Sequence, residues 1–156
     1  DAVIFEAYLQ MKAAEESDAQ ELQVASHAVQ RYWAADEATW LNATVGTAWE
    51  GAGCTGETDR ALVPSDREVL HGAGWCEFNV TDIVAQWLSE PGSNKGLLLE
   101  GYDDRWAAAY IFPSADHVSS LYAPRLIVTY ARSPEAPTPT PTLGYHLYLP
   151  IIFRTM

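Results

Sequence analysis

Alternating hydrophobic and polar residues mark the start of the chain. In the segment VIFEAYLQMKA, one face carries the apolar residues Val3, Phe5, Ala7, Leu9 and Met11. A period of two is typical of a half-buried β-strand. We predict further strands at ELQVASHAV, around residues 68–70, and at WCEFNV, KGLLLEGY, WAAAYIFPS and PRLIVTYAR.

One segment has a helical period instead. In VTDIVAQWLSEPG the apolar side chains share one side of a helix, namely Ile83, Val84, Trp87 and Leu88. Thr81 or Asp82 is placed to cap this helix, and Pro91 ends it. The segment RYWAADEATWLNATVGTAWEGAG is aromatic-rich and punctuated by glycine, which predicts a long ordered loop. Many short strands and one helix predict an all-β fold, a jelly-roll-like β-sandwich.

The composition changes after Arg132. Residues 1–132 form the predicted sandwich head, residues 133–143 are a Pro/Thr-rich linker, and residues 144–156 are a strand-like tail. In YHLYLPIIFR the apolar residues again alternate: Tyr145, Leu147, Leu149, Ile151 and Phe153. A lone strand cannot satisfy its backbone or bury an apolar face. The tail is therefore predicted to complete a sandwich, either its own or that of another molecule.

The charge of the chain excludes some partners. The formal net charge is −12 and the pI is near 4.5, which argues against nucleic acid and against anionic membrane surfaces. No apolar run approaches the roughly 20 residues of a membrane helix, so no membrane span is predicted. No signal peptide is evident, so Asp1 would be a processed terminus if the protein is exported.

Cysteines and sequons indicate an oxidising compartment. Cys54 and Cys76 lie in glycine-rich surroundings and are predicted to form a disulfide, with two unpaired thiols as the alternative. Asn42 and Asn79 each begin an Asn-x-Thr sequon and are candidate glycosylation sites. With the Pro/Thr linker, these features predict an extracellular or cell-surface location.

The sequence offers little catalytic chemistry. Its four histidines show no zinc-ligand spacing, its adjacent carboxylates are typical of solvated turns, and no phosphate-binding glycine loop occurs. We therefore predict no catalytic residues, no enzyme activity and no cofactor. Calcium is the one metal alternative, with oxygen ligands that the segments EGYDDRW and FPSADH would bring together. These candidates are Glu100, Asp103, Asp104 and Asp116.

The sequence contains six tryptophans, a high number for a chain of 156 residues. Trp75 and Trp87 follow strand and helix patterns and are predicted to be core residues. Trp33, Trp40 and Trp49 fall in the long loop. They are predicted either to pack down as a small loop core or to present ring faces for sugar stacking.

Several segments, in order, resemble the DNRLRE-type domain, an extracellular β-sandwich related to carbohydrate-binding modules. They are ATWLNATVGTAWEGAG, WCEFNVTDIVAQWLSEPGSNKGLLL, YIFPSAD and APRLIVTYA. The positions that match the family pattern, within residues 2–131, are Thr39, Trp40, Asn42, Trp49, Gly51, Phe78, Val80, Thr81, Val84, Trp87, Asn94, Gly96, Phe112, Ser114, Pro124, Leu126, Val128 and Tyr130. Asn79 stands where the family usually has Asp.

The resemblance implies that a leading strand is missing before Val3. An unpaired apolar edge in a small sandwich is unstable and adhesive. We therefore expect the first strand, through Val3, Phe5, Ala7, Leu9 and Met11, to accept a donor strand from the tail of another subunit.

This pairing predicts a structural or adhesive subunit that assembles with identical subunits into a head-to-tail surface filament. The alternative is a carbohydrate-binding surface module that binds a polysaccharide, with its tail folded in cis or serving as an anchor.

Overall fold

The computed structural model describes residues 2–15, 21–102, 110–132 and 151–154. Its strands are β1 (Ala2–Glu15), β2 (Leu22–Ala28), β3 (Asn42–Thr44), β4 (Thr47–Ala48), β5 (Asp66–Leu70), β6 (Gly74–Asn79), β7 (Leu97–Tyr102), β8 (Tyr110–Ile111), β9 (Arg125–Arg132) and β10 (Ile151–Arg154). One α-helix, α1 (Thr81–Ser89), follows β6, and 3₁₀ turns occupy Pro91–Ser93 and Ser120–Tyr122. The predicted all-β sandwich with one short helix is confirmed.

The first sheet is built around β1. The strand β6 lies antiparallel on one side of β1, with Leu9 opposite Phe78. The strand β9 lies antiparallel on the other side, and β8 continues along that side at Ala14 and Glu15. The long first strand is therefore the centre of its sheet over most of its length.

The second sheet has the order β10-β7-β2-β5. The strand β2 pairs antiparallel with β5 and with β7. The strand β10 pairs with the outer edge of β7, and this is the parallel pairing among the described strands. A short hairpin of β3 and β4 forms a third, separate pair.

The main core lies between these two sheets and α1. Alternating side chains of β1 contribute to this core from the first sheet, and side chains of β2 and β7 contribute from the second sheet. The helix α1 adds further apolar side chains. Its fully buried members include Leu9, Met11, Phe78, Leu97 and Leu99. Burying a side chain of this size contributes about 1.5–3 kcal/mol, so this layer is a main source of stability for the head.

A β-bulge changes which side chains of β1 face the core, compared with the prediction. The pairing of β1 with β9 shifts between Ile4 and Glu6, so Phe5 is an extra residue in the strand. An inserted residue reverses which side chains face the core. Ala7, Leu9 and Met11 are buried as predicted, whereas Val3 and Phe5 are each 60% exposed. Ile4 packs against the core in their place.

The helix forms where the sequence predicts it, but its caps differ. Ile83, Val84 and Trp87 are buried, while Leu88 is 47% exposed. The N-terminus has no side-chain cap. Thr81 Oγ1 instead accepts a hydrogen bond from the Ala7 backbone N–H at 2.9 Å, which joins the helix to β1. Within the described chain, no helix has the length and apolarity needed to cross a membrane.

The long loop between β2 and β5 covers the outer face of the second sheet. Its small core contains Val29, Ala43, Trp49 and Cys54, together with Leu98 from β7. Two contacts tie the loop to the start of β7: Val29 N–H donates to the Gly96 carbonyl at 3.0 Å, and Trp33 Nε1 donates to the Lys95 carbonyl at 2.7 Å. As a result, the apolar stretch of β7 is buried on both faces.

Candidate functional site

The tail strand lies along the outer edge of β7. Ile151, Ile152 and Phe153 are paired with Leu97, Leu98 and Leu99, and Arg154 is paired with Glu100. Leu97, Leu98 and Leu99 are almost wholly buried. A buried apolar strand with an unfilled edge would leave its backbone N–H and C=O groups without partners, and β10 supplies those partners.

The turn before β7 sets the direction of this strand. Gly96 has φ +92°, a left-handed conformation that glycine adopts at little cost. Its N–H donates to Asn94 Oδ1 at 3.2 Å. This turn leads the chain from the 3₁₀ segment into the strand, where Leu97 and Leu99 enter the main core and Leu98 enters the loop core. The Asn-x-Gly segment therefore positions the edge that β10 occupies.

A buried polar cluster lies beside this edge, between the second sheet and the long loop. Glu100 of β7 accepts from Arg60 Nη2 at 2.8 Å and from the Tyr102 hydroxyl. His27 of β2 places Nε2 3.5 Å from the same carboxylate, and its Nδ1 lies 2.8 Å from the Ala61 carbonyl. Arg60 Nη1 contacts both ring nitrogens of His27, at 2.7 and 2.8 Å. His27 and Glu100 are only 1% and 2% exposed.

The surroundings of His27 keep its ring neutral. Burial is the main cause that lowers the pKa of His27, and the Arg60 guanidinium lowers it further. The hydrogen bond to Ala61 and the Glu100 carboxylate act in the opposite direction but are outweighed. A neutral ring can accept a hydrogen bond from Arg60, which a protonated ring cannot do.

A second buried carboxylate organises the loop itself. Asp59 accepts hydrogen bonds from the backbone N–H groups of Glu50, Gly51 and Gly56 and from Arg31 Nη1, at 2.9–3.1 Å. Burial alone would raise the pKa of Asp59, but these donors outweigh it and hold the pKa below its usual range. Asp59 is therefore a structural anion that closes the loop.

The structure corrects the prediction that β1 is the acceptor edge. From Tyr8 to Gln10, β1 is hydrogen-bonded to β6 on one side and to β9 on the other, so no strand position is open there. The beginning of β1 lacks a strand on its β6 side among the described residues, and a cavity there is lined by Ala2–Ile4 and by Ala85, Leu88 and Ser89 of α1. The edge that receives the tail is β7.

The predicted donor residues divide between two parts of the chain. Ile151 and Phe153 fall in β10, at the register positions opposite Leu97 and Leu99. Tyr145, Leu147 and Leu149 lie outside the described residues. The part of the tail that the structure describes, Ile151–Arg154, is therefore a strand of the second sheet.

The predicted disulfide is wrong. Cys54 and Cys76 are free thiols. Cys54 belongs to the loop core outside the second sheet, whereas Cys76 packs against the main core from β6 in the first sheet and donates to the Met11 carbonyl. Burial raises the pKa of Cys54 to about 12 and that of Cys76 to about 11, so both stay protonated.

The tryptophans divide differently from the prediction. Trp49 is buried and Trp33 packs against the same loop core, as the loop-core alternative predicts. Trp40 is 49% exposed and lies against Gly53. Trp75 is not a core residue: it is 46% exposed on the outer face of β6, with the Arg125 guanidinium 5.1 Å from its ring centroid. Trp87 is buried in the main core.

The remaining candidates that the structure describes are not gathered into one site. Glu100 is occupied by its buried partners, Asp116 is exposed, and Asp103 and Asp104 lie outside the described residues. No group of three or more His, Cys, Asp or Glu in the described part of the chain could hold a metal ion. Asn79 is exposed at the end of β6 and accepts from Thr81 through Oδ1, while Asn42 is half-buried in β3.

The buried cluster was missed by the sequence analysis, although a signal for it exists. Glu100 follows the apolar run Leu97–Leu99 in β7, and His27 lies between Ser26 and Ala28 in β2. An ionisable residue inside a strand that is otherwise mostly apolar indicates a buried partner. That partner, Arg60, lies in the irregular loop, where no period places it.

Comparison with known proteins adds no identification: no family model and no curated protein matches the chain.

Proposed function

We propose that the chain is a non-enzymatic, extracellular structural or adhesive subunit of DNRLRE type. It assembles into a surface filament when the C-terminal strand of one copy enters the second sheet of the next copy. The observation that carries this proposal is the parallel pairing of Ile151–Arg154 with the edge of β7.

The edge of β7 has the properties of a strand acceptor. Its residues Leu97–Leu99 are buried on both faces of the sheet, and β2 already occupies the opposite edge. Adding an extended segment to such an edge is a known mode of recognition, in which main-chain hydrogen bonds provide affinity and alternate side chains provide specificity. The same four backbone pairings form whether the strand comes from the same chain or from another.

The segment between β9 and β10 is long enough for exchange between copies. Residues 133–150, eighteen in number, separate the end of β9 from the start of β10. Eighteen extended residues span at most about 60 Å. A domain of 132 residues has a radius of gyration of only about 14 Å. A tether of this length therefore reaches the β7 edge of an adjacent molecule.

Exchange of this kind produces a filament when the successive contacts do not close into a ring. The donor strand and the acceptor edge are different surfaces of the same molecule, so each copy offers one of each. A contact between unlike surfaces that does not close into a ring continues indefinitely. The Pro/Thr-rich linker and the resemblance to an extracellular sandwich support a surface location.

A second candidate is a carbohydrate-binding surface module whose tail stays in cis. The observation that favours it is the exposure of Trp40, which is 49%. Retardation of the protein in a polysaccharide gel, lost in Trp40→Ala, would support this candidate. The burial of Trp33 and Trp49 removes the other two predicted sugar-stacking rings.

The filament proposal is tested by negative-stain electron microscopy of the full-length chain. The full-length protein is expected to form filaments, and a chain ending at Arg132 is expected to form none. In Phe153→Asp, a charge enters the strand at the position opposite the buried Leu99, and filaments are expected to disappear.

The matched control is Thr138→Asp, which adds the same charge to the linker and should preserve filaments. Monomers from all four proteins, at every concentration, would contradict the proposal.

A further inference from the structure

The buried polar cluster joins three elements that meet beside the tail site. His27 belongs to β2, Glu100 and Tyr102 belong to β7, and Arg60 belongs to the loop that covers β7. Arg60 is anchored there by its own backbone, because Val29 and Arg60 form an isolated β-bridge. The cluster therefore connects the loop cover to the strand that receives β10.

The contacts of the cluster favour a neutral imidazole. His27 Nδ1 lies 2.8 Å from the Ala61 carbonyl, to which a protonated Nδ1 donates. Arg60 Nη1 lies 2.7 Å from Nδ1 and 2.8 Å from Nε2, and Nε2 is then the nitrogen that can accept from it. A proton added to Nε2 would remove this acceptor and would compete with Arg60 for the Glu100 carboxylate, 3.5 Å away.

The charges that face His27 come from every element packed against it. Arg60 approaches from the loop, Glu100 and Tyr102 from β7, and Arg67 from β5, where its guanidinium lies 5.9 Å from the Tyr102 ring centroid. Glu100 thus accepts from one cation, Arg60, and a charged His27 would add a second cation beside the same carboxylate.

If the long loop became less tightly packed, the strand β7 and the tail strand on its edge would be affected, because the loop packs against β7. Leu98 is buried among loop residues, and Trp33 Nε1 holds the Lys95 carbonyl just before β7. If Arg60 leaves His27, the segment that covers Leu98 and Glu100 loses one of the polar contacts that hold it to the second sheet. The outer face of β7 then becomes accessible to water, and the strand becomes a weaker template for pairing.

We propose that the His27–Arg60–Glu100 cluster is a proton-sensitive latch that regulates how tightly β7 holds the C-terminal strand. Protonation of His27 opens the latch, and the tail strand is released. This inference rests on the proposed function only in taking β7 as the docking edge for the tail. It holds for a tail in cis as well as for one in trans.

The direction of the pH effect follows from burial. The pKa of His27 is lowered in the folded protein, so the unfolded or opened state binds the proton more readily. The stabilisation is complete above the ordinary histidine pKa of about 6.5, and it is lost as the pH falls from there toward the folded value. Over that window, each pH unit shifts the closing equilibrium by up to about tenfold.

Hydrogen exchange measured by mass spectrometry tests the latch in the full-length chain. Amide protection of the peptides that contain Leu97–Tyr102 and Ile151–Arg154 is followed from about pH 8 to about pH 5.5, after correction for intrinsic exchange. This range stays above the titration of ordinary carboxyls. The wild type is expected to lose protection at both segments together as the pH falls below about 6.5.

Two substitutions assign the effect to His27. His27→Gln keeps a donor for Ala61 and an acceptor for Arg60 but cannot be protonated, so its protection should stay constant with pH. The other three histidines remain in this variant. Arg67→Gln removes an exposed cation that lowers the pKa of His27 in the folded protein. The closed and opened states then differ less in proton affinity, so the loss of protection at low pH should be smaller than in the wild type. Arg125→Gln removes an exposed cation on the other sheet and should leave the transition in place.

The outcomes separate this inference from the filament proposal. A pH-independent wild type, or an unchanged transition in Arg67→Gln, would overturn the latch even if His27→Gln failed to fold. Filaments that form at neutral pH with no such transition would leave the proposed function intact and refute the latch. Conversely, a His27-dependent transition in a protein that never polymerises would establish the latch and refute the filament.

Discussion

Arg60 and Glu100 form a buried ion pair, with 2.8 Å between Arg60 Nη2 and Glu100 Oε2, that joins the long loop to the strand on which the tail docks. Glu100 is 2% exposed and also accepts from Tyr102. Glu100 belongs to β7, the strand whose outer edge β10 occupies. The loop, the acceptor strand and the tail are therefore physically connected.

Replacing Glu100 with Gln should strongly destabilise the head. Arg60 would remain buried without its carboxylate, and removing one partner of a buried pair costs about 3–5 kcal/mol. Urea denaturation should show this loss in the free energy of unfolding. Glu21→Gln is the matched control, because it breaks the exposed contact with His71 and should change stability by about 1 kcal/mol or less. Equal, small effects of the two substitutions would contradict the structural role of Glu100.

Asp59 should contribute to acid unfolding of the protein. Its pKa is held below the usual range, so its stabilising effect is present above the ordinary value of about 3.9 and is lost as the pH falls through the folded value. Asp59→Asn should be less stable at neutral pH and should lose less further stability on acidification.

Urea midpoints from about pH 6 to about pH 2 measure this difference. Asp36→Asn, an exposed substitution in the same loop, should follow the wild-type curve. An unchanged slope in Asp59→Asn would mean that other groups carry the acid sensitivity.

Reducing agent should leave the stability of the protein unchanged. Cys54 and Cys76 are free and packed in different cores, so no bond exists to be reduced. Because the thiol of Cys54 is protonated and buried, it should react with a thiol reagent only after unfolding, whereas the partly buried, protonated Cys76 should react slowly in the folded protein. A loss of about 3 kcal/mol on adding dithiothreitol, the size expected for a native disulfide, would refute this assignment.

Two glycines with similar backbones give a matched test of the loop. Gly46 and Gly53 have φ +78° and +74°, but a Cβ at Gly46 would meet nothing within 4 Å, whereas one at Gly53 would lie 2.7 Å from the Trp40 ring. Alanine at either position adds left-handed strain of about 1–2 kcal/mol. Gly53→Ala should lose more stability than Gly46→Ala and should shift the tryptophan emission. Equal effects would mean that the Trp40 ring moves aside freely.

The sequence predicted the elements better than their partners. Alternation located β1 and β9, and the helical period located α1, because one buried face imposes its period on each segment. The strand β7 was predicted from a continuous apolar run, which fits its burial on both faces. The bulge at Phe5 could not be predicted, since it arises from the pairing of β1 with β9. The period of two continues through the sequence while the structure shifts by one residue.

The site was predicted in part. The alternation of the tail correctly marked Ile151–Arg154 as a strand. Its partner could not be inferred, because the choice between β1 and β7 depends on which edges the other strands leave open. The cysteines were wrongly joined for a related reason: sequence spacing does not show that Cys54 and Cys76 lie in different cores.

The central claim is that the tail strand of one copy pairs with β7 of another copy. The most direct test places the photo-cross-linking amino acid benzoylphenylalanine at Phe153, whose register partner is Leu99. Full-length chains with natural and heavy nitrogen are unfolded, mixed equally, refolded and irradiated. Mass spectrometry then identifies the isotope on each side of every cross-link to the Leu97–Tyr102 peptide. The account predicts mixed-isotope cross-links as often as same-isotope ones. Cross-links that join only peptides of the same isotope would show that the tail folds onto its own sandwich, and they would contradict the filament.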